Sequence, residues 1–341
     1  MCNLRYMLLF ISVSGKNIKA NIELGHIVYP PNKEPLLQFQ PWHRNSSNYR
    51  INNPNYNSND ECGVTDYYTD SINRQIPNGA NTLPGQWPWV VPVYYIRKKE
   101  KDFITTYEFQ CGGSILTNKH IITVAYCVFS EIDIQNPKYI QPNNLEVVFG
   151  QYNLFKLHGD GIVNIKVAFY ILHPDFDYYL TSNLAILTLK KPVEYTPLTK
   201  PICLWSDYSS TTLEDVVGKT GYVVGWGQDP LGHRDFQEQR MIKVTIAGQE
   251  NCLRSDNRYI SYTSNRTFCA NSLDEKNGLC DGDSGNALVL LNNHTGRYEL
   301  RGLYSGGLAS GNTTLLCDPR LYDIYVDVVH FKSWIQRQIL T

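Results

Sequence analysis

The feature that most constrains the fold of this chain is a regular series of short apolar segments that begins after Gln86. Each segment is rich in β-branched or aromatic residues and ends at turn-forming residues, as β-strands do. Many short strands at such spacing are typical of an all-β sandwich or barrel. We therefore predict an all-β fold with strands at Trp87–Ile96, Phe109–Leu116, Leu145–Gly150, Ile162–Leu172, Leu184–Leu189, Tyr222–Trp226, Arg240–Ile246, Ala287–Leu291, Arg297–Tyr304 and Ile324–Val328.

The last segment of the chain has a different periodicity. Helical spacing relates Val328, Phe331, Trp334, Ile335 and Gln338–Ile339. Such spacing places apolar side chains on one face of an amphipathic helix. We predict a C-terminal helix that packs on the β-structure.

Residues 1–20 have the pattern of a short secretory leader. Arg5 precedes the apolar run Tyr6–Val13, and the small residues Ser14 and Gly15 follow it, which is the order found in signal peptides. The run is too short to span a bilayer. The alternative interpretation is a buried N-terminal strand. Removal of a leader would leave a soluble, secreted protein.

Residues 21–75 have a composition unsuited to a packed core. Seven Asn lie among the sixteen residues from Asn45 to Asp60. We predict a flexible N-terminal arm that ends in a linker containing Cys62, followed by a compact domain at residues 76–341.

Charge and cysteine usage indicate the compartment. The 31 basic and 32 acidic residues give a formal net charge of −1, which offers no electrostatic basis for binding nucleic acid or an anionic membrane. Nine cysteines occur without a Cys-x-x-Cys pair, which favours disulfides over a metal site. Acceptor sequences for N-glycosylation suit the same oxidising compartment and begin at Asn45, Asn265, Asn293 and Asn312.

The sharpest chemical signal is the segment Cys280–Gly285, whose sequence is Cys-Asp-Gly-Asp-Ser-Gly. A Ser in a tight turn flanked by Gly exposes its hydroxyl and directs backbone N–H groups toward one point, as an oxyanion hole requires. Alone, the tetrapeptide Gly-Asp-Ser-Gly could belong to any loop. Here it accompanies other motifs, which are Gly85–Trp89, Cys111–Leu116, Thr123–Cys127, Asn183–Leu187, Gly225–Gly227 and Tyr304–Gly307.

Together these motifs closely resemble the chymotrypsin/trypsin-like serine protease family, over roughly residues 76–341. The resemblance implies two β-barrels with a C-terminal helix, an oxyanion hole at Gly282 and Ser284, and no cofactor or metal. It also implies four disulfides, of which the first would tether the N-terminal arm: Cys62–Cys203, Cys111–Cys127, Cys252–Cys269 and Cys280–Cys317.

Two positions depart from the family pattern, although the nucleophile position, Ser284, is kept. Tyr126 stands where the resemblance implies the catalytic His, and Asn183 where it implies the Asp that orients this His. A Ser hydroxyl needs a base to take its proton, and an unperturbed Tyr, with a pKa of about 10, is neutral at pH 7. Loss of the nucleophile–base unit costs on the order of a millionfold in turnover. None of the eight histidines has a local sequence context that suggests a position beside Ser284. They are His26, His43, His120, His158, His173, His233, His294 and His330.

Activation in this family depends on a cut that frees a new amino terminus. The resemblance implies that this terminus pairs with Asp283 and that the matching segment begins at Ile76. A cut after Arg74 would leave Gln75 as an additional residue, and Pro77 would stiffen the segment. We do not expect a normal switch, and cleavage at Arg74 stays open.

The substrate pocket has a mixed composition. Gly278 occupies the position of the acid that selects basic side chains in trypsin, whereas Asp323 occupies a position that is usually Gly. Either a carboxylate has moved across the pocket, or Asp323 partly fills the pocket or faces solvent; we favour the second interpretation. The pocket residues implied by the resemblance are Gly278, Ser305, Gly307 and Asp323.

We consider three functions. The preferred hypothesis is a protein similar to the non-catalytic serine protease homologues of arthropod immunity and development. Such a protein would bind extracellular proteins, such as proteases or zymogens of a proteolytic cascade, and neither nucleic acid nor membrane; its oligomeric state stays open. The alternatives are an active serine endopeptidase that uses Ser284 with an unusual base, and a secreted recognition module.

Overall fold

The computed structural model describes residues 62–65, 77–99, 104–131, 136–177, 180–206, 211–229, 231, 238–273, 276–308 and 316–340. The predicted leader at residues 1–20 lies outside these ranges, as does the predicted arm at residues 21–75 apart from residues 62–65. None of the helices within the described ranges is long and apolar enough to cross a membrane.

The first half of the domain is a closed antiparallel β-barrel. Its strands are β1 (Val90–Lys99), β2 (Ile104–Ile115), β3 (His120–Thr123), β4 (Phe129–Glu131), β5 (Lys138–Tyr139), β6 (Leu145–Phe149), β7 (Val163–Leu172) and β8 (Ala185–Leu189). The barrel order is β1-β2-β3-β8-β7-β6, and β4 pairs with β5 as a separate ribbon. Short 3₁₀ helices lie at Ala125–Val128 and Pro142–Asn144.

The second half forms a second barrel and carries the α-helices. Its elements are β9 (Cys203–Leu204), β10 (Thr220–Gly225), β11 (Arg240–Ala247), α1 (Gln249–Ser255), β12 (Thr267–Ser272), β13 (Ala287–Asn292), β14 (Arg297–Gly307), β15 (Asp323–Asp327) and α2 (Lys332–Ile339). The order β13-β10-β11-β12-β15-β14 is closed by pairing of β13 with β14, while β9 joins β14 in parallel. Further 3₁₀ helices lie at Asn257–Ser261 and Val328–Phe331. The predicted all-β architecture with two barrels is confirmed.

Each predicted strand segment contains an observed strand, with small differences at the ends. Strand β1 begins at Val90 and not at Trp87, because the Val90 N–H donates to the Trp87 carbonyl oxygen (3.1 Å) in a turn that contains Pro88. The sequence analysis missed five strands: the two- and three-residue strands β4, β5 and β9, and the longer strands β3 and β12. The longer two are central strands, since β3 pairs with β2 and β8, and β12 with β11 and β15.

Aromatic side chains join the two barrels. Trp87, just before β1, is 2% exposed. Its ring centroid lies 5.6 Å from that of Tyr222 on β10 and 5.1 Å from that of Tyr298 on β14. Trp89 packs edge-on against Trp87 (5.6 Å). Large aromatic side chains bury much apolar area, so this cluster fixes the first barrel against the second.

The predicted C-terminal helix is confirmed as the 3₁₀ turn Val328–Phe331 followed by α2. The apolar residues of the sequence pattern are its buried ones, Val328, Phe331, Trp334 and Ile335. The His173 ring, after β7, contacts the rings of Phe331 (4.9 Å) and Trp334 (5.0 Å). The helix therefore packs on the chain segment that leaves β7 of the first barrel.

Four disulfides join the pairs that the resemblance implied: Cys62–Cys203, Cys111–Cys127, Cys252–Cys269 and Cys280–Cys317. The first holds residues 62–65 against the second barrel. Gly63 donates its N–H to Pro201 O (2.8 Å) and accepts from the Tyr298 N–H (2.8 Å). Gly63 has a φ of +66°, and a Cβ there would collide with the Tyr298 carbonyl oxygen, so only glycine suits this junction.

Candidate active site

Asn183 connects the two barrels at the centre of the candidate site. It lies just before β8 and is fully buried. Its Oδ1 accepts the backbone N–H of Tyr126 (3.1 Å), and its Nδ2 donates to Ser305 Oγ on β14 (2.8 Å). The amide therefore holds the Ala125–Val128 helix of the first barrel beside the second barrel without contributing a charge.

Tyr126 is held by its backbone and by aromatic contacts. It lies in the 3₁₀ helix next to Cys127, whose disulfide to Cys111 anchors this helix to β2. The half-buried Tyr126 ring packs edge-on against Phe176, with centroids 5.5 Å apart. Phe176 also contacts Phe129 (6.0 Å). Position 126 is thus part of an aromatic cluster at the first-barrel side of the site.

The turn that carries Ser284 is attached to both barrels. The Gly112 N–H of β2 donates to Ser284 O (2.9 Å), and the Gly285 N–H donates to Tyr304 O of β14 (2.9 Å). Gly282 and Gly285 have φ values of +97° and +83°, which L-residues with side chains rarely adopt. The two glycines of the Gly-Asp-Ser-Gly sequence therefore suit the backbone shape of the turn.

The backbone N–H groups predicted to form the oxyanion hole are those of Gly282 and Ser284. Within the described residues, neither N–H donates to a protein acceptor. Their role as oxyanion-hole donors stays a prediction. Ser284 itself is half-buried.

Asp283 is part of this turn, and only 3% of its surface is exposed. Its carboxylate accepts the N–H groups of Gly227 (2.9 Å) and Cys280 (3.1 Å) and the Nδ2 of Asn286 (3.3 Å). Burial raises the pKa of the Asp283 carboxyl, and the Arg240 charge and these hydrogen bonds oppose that rise. The sequence analysis named Asp283 but missed Asn286 and Arg240 as its neighbours.

Two histidines of the described part of the chain, His120 and His173, have their contacts away from Ser284. His120 Nδ1 lies 2.8 Å from Thr117 Oγ1, and burial, with a smaller contribution from Lys119, lowers the pKa of His120. His173 packs on the C-terminal helix, and burial lowers its pKa. Among the described residues no imidazole nitrogen hydrogen-bonds to Ser284 Oγ; His26, His43 and His233 lie outside them.

Of the predicted pocket residues, Ser305, Gly307 and Asp323 lie on the adjacent strands β14 and β15, and Gly278 lies outside the strands. Asp323 on β15 pairs with Gly307 on β14, and a Cβ on Gly307 would lie 3.0 Å from Asp323 Oδ1. The half-buried Asp323 therefore has its carboxylate beside Gly307, and both interpretations of its role, a carboxylate moved across the pocket and one that partly fills it or faces solvent, stay predictions. Burial, and then the Asp283 charge, raise the pKa of Asp323 well above its ordinary value. On the other wall, a Cβ on Gly278 would lie 2.8 Å from Pro319 Cβ.

Tyr304 also lies beside Gly307, and the sequence analysis did not name it for the predicted pocket. It is 4% exposed, and its hydroxyl lies 3.7 Å from the same Cβ position on Gly307. Its ring packs edge-on against Tyr325, with centroids 5.8 Å apart. Tyr304 and Asp323 thus both occupy space beside Gly307, so the pocket wall carries a phenol as well as a carboxylate.

Four predicted positions lie outside the described residues, namely Arg74, Ile76, Asn45 and Asn312. Asn265 and Asn293 are described and exposed, which is compatible with glycosylation.

Comparisons with known proteins agree with this geometry. The chain is 29% identical to "Serine protease gd" of Drosophila melanogaster, across 84% of this chain and 58% of that protein. It is 27% identical to the proclotting enzyme of Tachypleus tridentatus, across 82% of this chain and 69% of that protein. It is also 27% identical to phenoloxidase-activating factor 1 of Holotrichia diomphalia, across 78% of this chain and 70% of that protein. The chain thus spans 58% of the first of these relatives. The family model for trypsin matches residues 76–335, and this chain therefore belongs to the trypsin family of serine proteases.

Proposed function

We propose that this chain does not cleave peptide bonds and instead acts as a binding or regulatory partner in an extracellular proteolytic cascade. One observation carries the proposal: no imidazole hydrogen-bonds to Ser284 Oγ within the described residues, while positions 126 and 183 hold a phenol and an amide. Tyr126 and Asn183 take the places of the catalytic His and Asp. Ser284 then has no group that removes its proton at neutral pH.

The surroundings of Asn183 support this proposal. The amide satisfies the Tyr126 N–H and the Ser305 hydroxyl, two groups that a carboxylate could also satisfy. An uncharged amide, however, cannot stabilise a protonated base. In this proposal the hydrogen bonds of Asn183 still connect the barrels, but residue 183 carries no charge that could stabilise a protonated base.

The proposed partners follow from the family and the relatives. Those relatives include a proclotting enzyme and a phenoloxidase-activating factor, so we propose proteases or zymogens as partners. The proposed secretion rests on the leader pattern at residues 1–20 and on four disulfides, which suit an oxidising compartment. The Cys62–Cys203 disulfide would keep the arm attached after a cut at Arg74.

Fluorophosphonate labelling tests the proposal, because these reagents modify only an activated Ser. Purified protein, intact and after cleavage at Arg74, is incubated with the reagent beside a Ser284→Ala variant and an active trypsin. We expect trypsin to be labelled stoichiometrically and both forms of this chain to match Ser284→Ala. Rapid stoichiometric labelling that disappears in Ser284→Ala would contradict the proposal.

A second candidate function is serine endopeptidase activity with a non-standard base, favoured by the Asp323 carboxylate beside Gly307. A carboxylate in the pocket would select Lys or Arg side chains. The test is hydrolysis of basic ester substrates by the natural chain and by Ser284→Ala. Hydrolysis that vanishes in Ser284→Ala would support this candidate, and equal rates would dismiss it.

A further inference from the structure

The shape of the Ser284 turn depends on a buried carboxylate whose partners all come from the second barrel. Within the described residues, the hydrogen-bond donors to the Asp283 side chain are Gly227, Cys280 and Asn286. Gly227 accommodates this arrangement because a Cβ there would collide with the Asp283 carboxylate. A buried carboxylate needs hydrogen bonds and a compensating charge.

Arg240 supplies a positive charge that opposes the burial-induced rise in the Asp283 pKa. It is the first residue of β11 and is 4% exposed. Its Nη2 donates to Gly227 O (2.8 Å) and Gln228 O (3.1 Å), so the guanidinium fixes the same segment whose N–H binds Asp283. The Gln228 N–H in turn donates to Asp281 O (2.9 Å), at the start of the Ser284 turn.

Asn286 closes the other side of the carboxylate. It is fully buried and fits only because Gly112 and Gly225 lack side chains, since a Cβ on either would collide with its amide. Its backbone N–H donates to Asp283 O (3.1 Å), and its carbonyl accepts the Tyr304 N–H (2.9 Å). Asn286 therefore joins Asp283 to β14 through both its side chain and its backbone.

Residues 77–82, which follow the predicted cleavage point, make their hydrogen bonds away from the Asp283 side chain. Asn78 Oδ1 accepts the Lys243 N–H (2.6 Å), and Asn78 Nδ2 donates to Ser272 Oγ (2.9 Å). The Gly79 N–H donates to Met241 O (2.9 Å). Residues 77–82 thus dock on the second barrel, and none of them hydrogen-bonds to the Asp283 side chain.

We propose that Arg240 and Asn286 are positioning residues that hold Asp283, and through it the turn at residues 280–285, in one geometry whether or not the chain is cut after Arg74. In this proposal, a charge and an amide of the second barrel perform the holding role that the family resemblance assigns to a newly freed amino terminus. This proposal goes beyond the proposed function, since it concerns the shape of the turn and not the reactivity of Ser284.

Hydrogen–deuterium exchange of residues 279–287, followed by mass spectrometry, tests this directly. The full chain is compared before and after cleavage, with residues 71–74 replaced by the recognition sequence of a site-specific protease. We expect exchange rates in the turn to agree within about twofold between the two forms. Slow exchange that appears only after cleavage would overturn the proposal and would leave the question of Ser284 reactivity untouched.

Substitutions then identify the residues responsible. In the uncut chain, Arg240→Gln and Asn286→Gly should each speed exchange in the turn by about tenfold or more, while Arg240→Lys, which keeps the charge, should retain most of the protection. Peptides from β8 report whether each variant is folded. Unchanged exchange in the turn of folded Arg240→Gln and Asn286→Gly would overturn the assignment.

Arg301→Gln is the matched control. Arg301 is also a fully buried arginine of the second barrel, and it pairs with Asp327 (2.8 Å). Its loss should lower overall stability without a selective effect on residues 279–287. Equal acceleration of the turn by Arg301→Gln and Arg240→Gln would mean a general structural role, and would overturn the proposal.

Discussion

The two barrels contribute halves of the site that are each held by hydrogen bonds but differ in chemistry. The first-barrel half presents Tyr126 and Asn183, joined by a hydrogen bond between a backbone N–H and a neutral amide. The second-barrel half presents Ser284 above the buried Asp283, which is held by three hydrogen bonds. Backbone contacts and packing define the first half, whereas a charge defines the second. Under the proposed function, the fold would keep the shape of the site although the groups that confer reactivity differ.

The largest effect is expected when an imidazole and a carboxylate are placed in the first-barrel half of the site. The double variant Tyr126→His plus Asn183→Asp should raise hydrolysis of basic ester substrates by about a hundredfold to ten-thousandfold, because a positioned base can then take the Ser284 proton. Steady-state rates of the natural chain and the variant give the ratio.

The single variants and a Ser284→Ala version of the double variant are the controls. Each should remain near the background rate, since nucleophile and base act as one unit. An inactive but folded double variant would mean that the second half, and not only the first, departs from a working geometry.

The strand pattern of the chain could be predicted because most strands alternate or are wholly apolar. β3 and β12 were missed because Thr267–Ser272 mixes polar and apolar residues, and because His120–Thr123 is only four residues long. Their position is decided by neighbours on both sides, β2 and β8 for one and β11 and β15 for the other. Such long-range pairing leaves little local signal in the sequence.

The site could be predicted only as far as its motifs extend. The turn around Ser284 and the positions of Tyr126 and Asn183 follow from local sequence. Arg240 lies far along the chain from Asp283, so no local pattern connects them. The approach of Tyr304 to Gly307 depends on how side chains fill the barrel, which the sequence does not specify at this level.

The amide bridge between the halves offers a second test, on stability. Asn183→Leu keeps the approximate volume but leaves the Tyr126 N–H and the Ser305 hydroxyl without their partner, so the free energy of unfolding should fall by about 3 kcal/mol. Urea denaturation measures the change. Ser305→Ala removes only one of the two hydrogen bonds and should cost roughly half as much; a larger loss for Ser305→Ala would contradict the bridging role of Asn183.

The pH dependence of the unfolding free energy tests the second-barrel half of the site, because that half contains the ionisable Asp283. Burial raises the pKa of Asp283 in the folded state, so the native protein binds more protons than the unfolded chain as pH rises from about 4. Stability attributable to Asp283 therefore falls with rising pH until the folded-state pKa is passed, by at most about 1.4 kcal/mol per pH unit.

Asp283→Asn removes this dependence. The difference in unfolding free energy between the natural chain and Asp283→Asn should shift against the natural chain as pH increases across that window. Arg240 and Asp323 also influence this region, and both are retained in the variant. Parallel pH profiles for the two proteins would contradict the burial of an ionisable Asp283.

The smallest expected effect concerns the aromatic contact that holds Tyr126. Its ring packs edge-on against Phe176 at 5.5 Å, and such pairs contribute about 1 kcal/mol beyond the area they bury. A double-mutant cycle with Tyr126→Leu and Phe176→Leu isolates this coupling from the loss of apolar area. A coupling energy near zero would mean that the Ala125–Val128 backbone alone positions residue 126. An imidazole placed there would then take its orientation from Asn183 and not from the aromatic cluster.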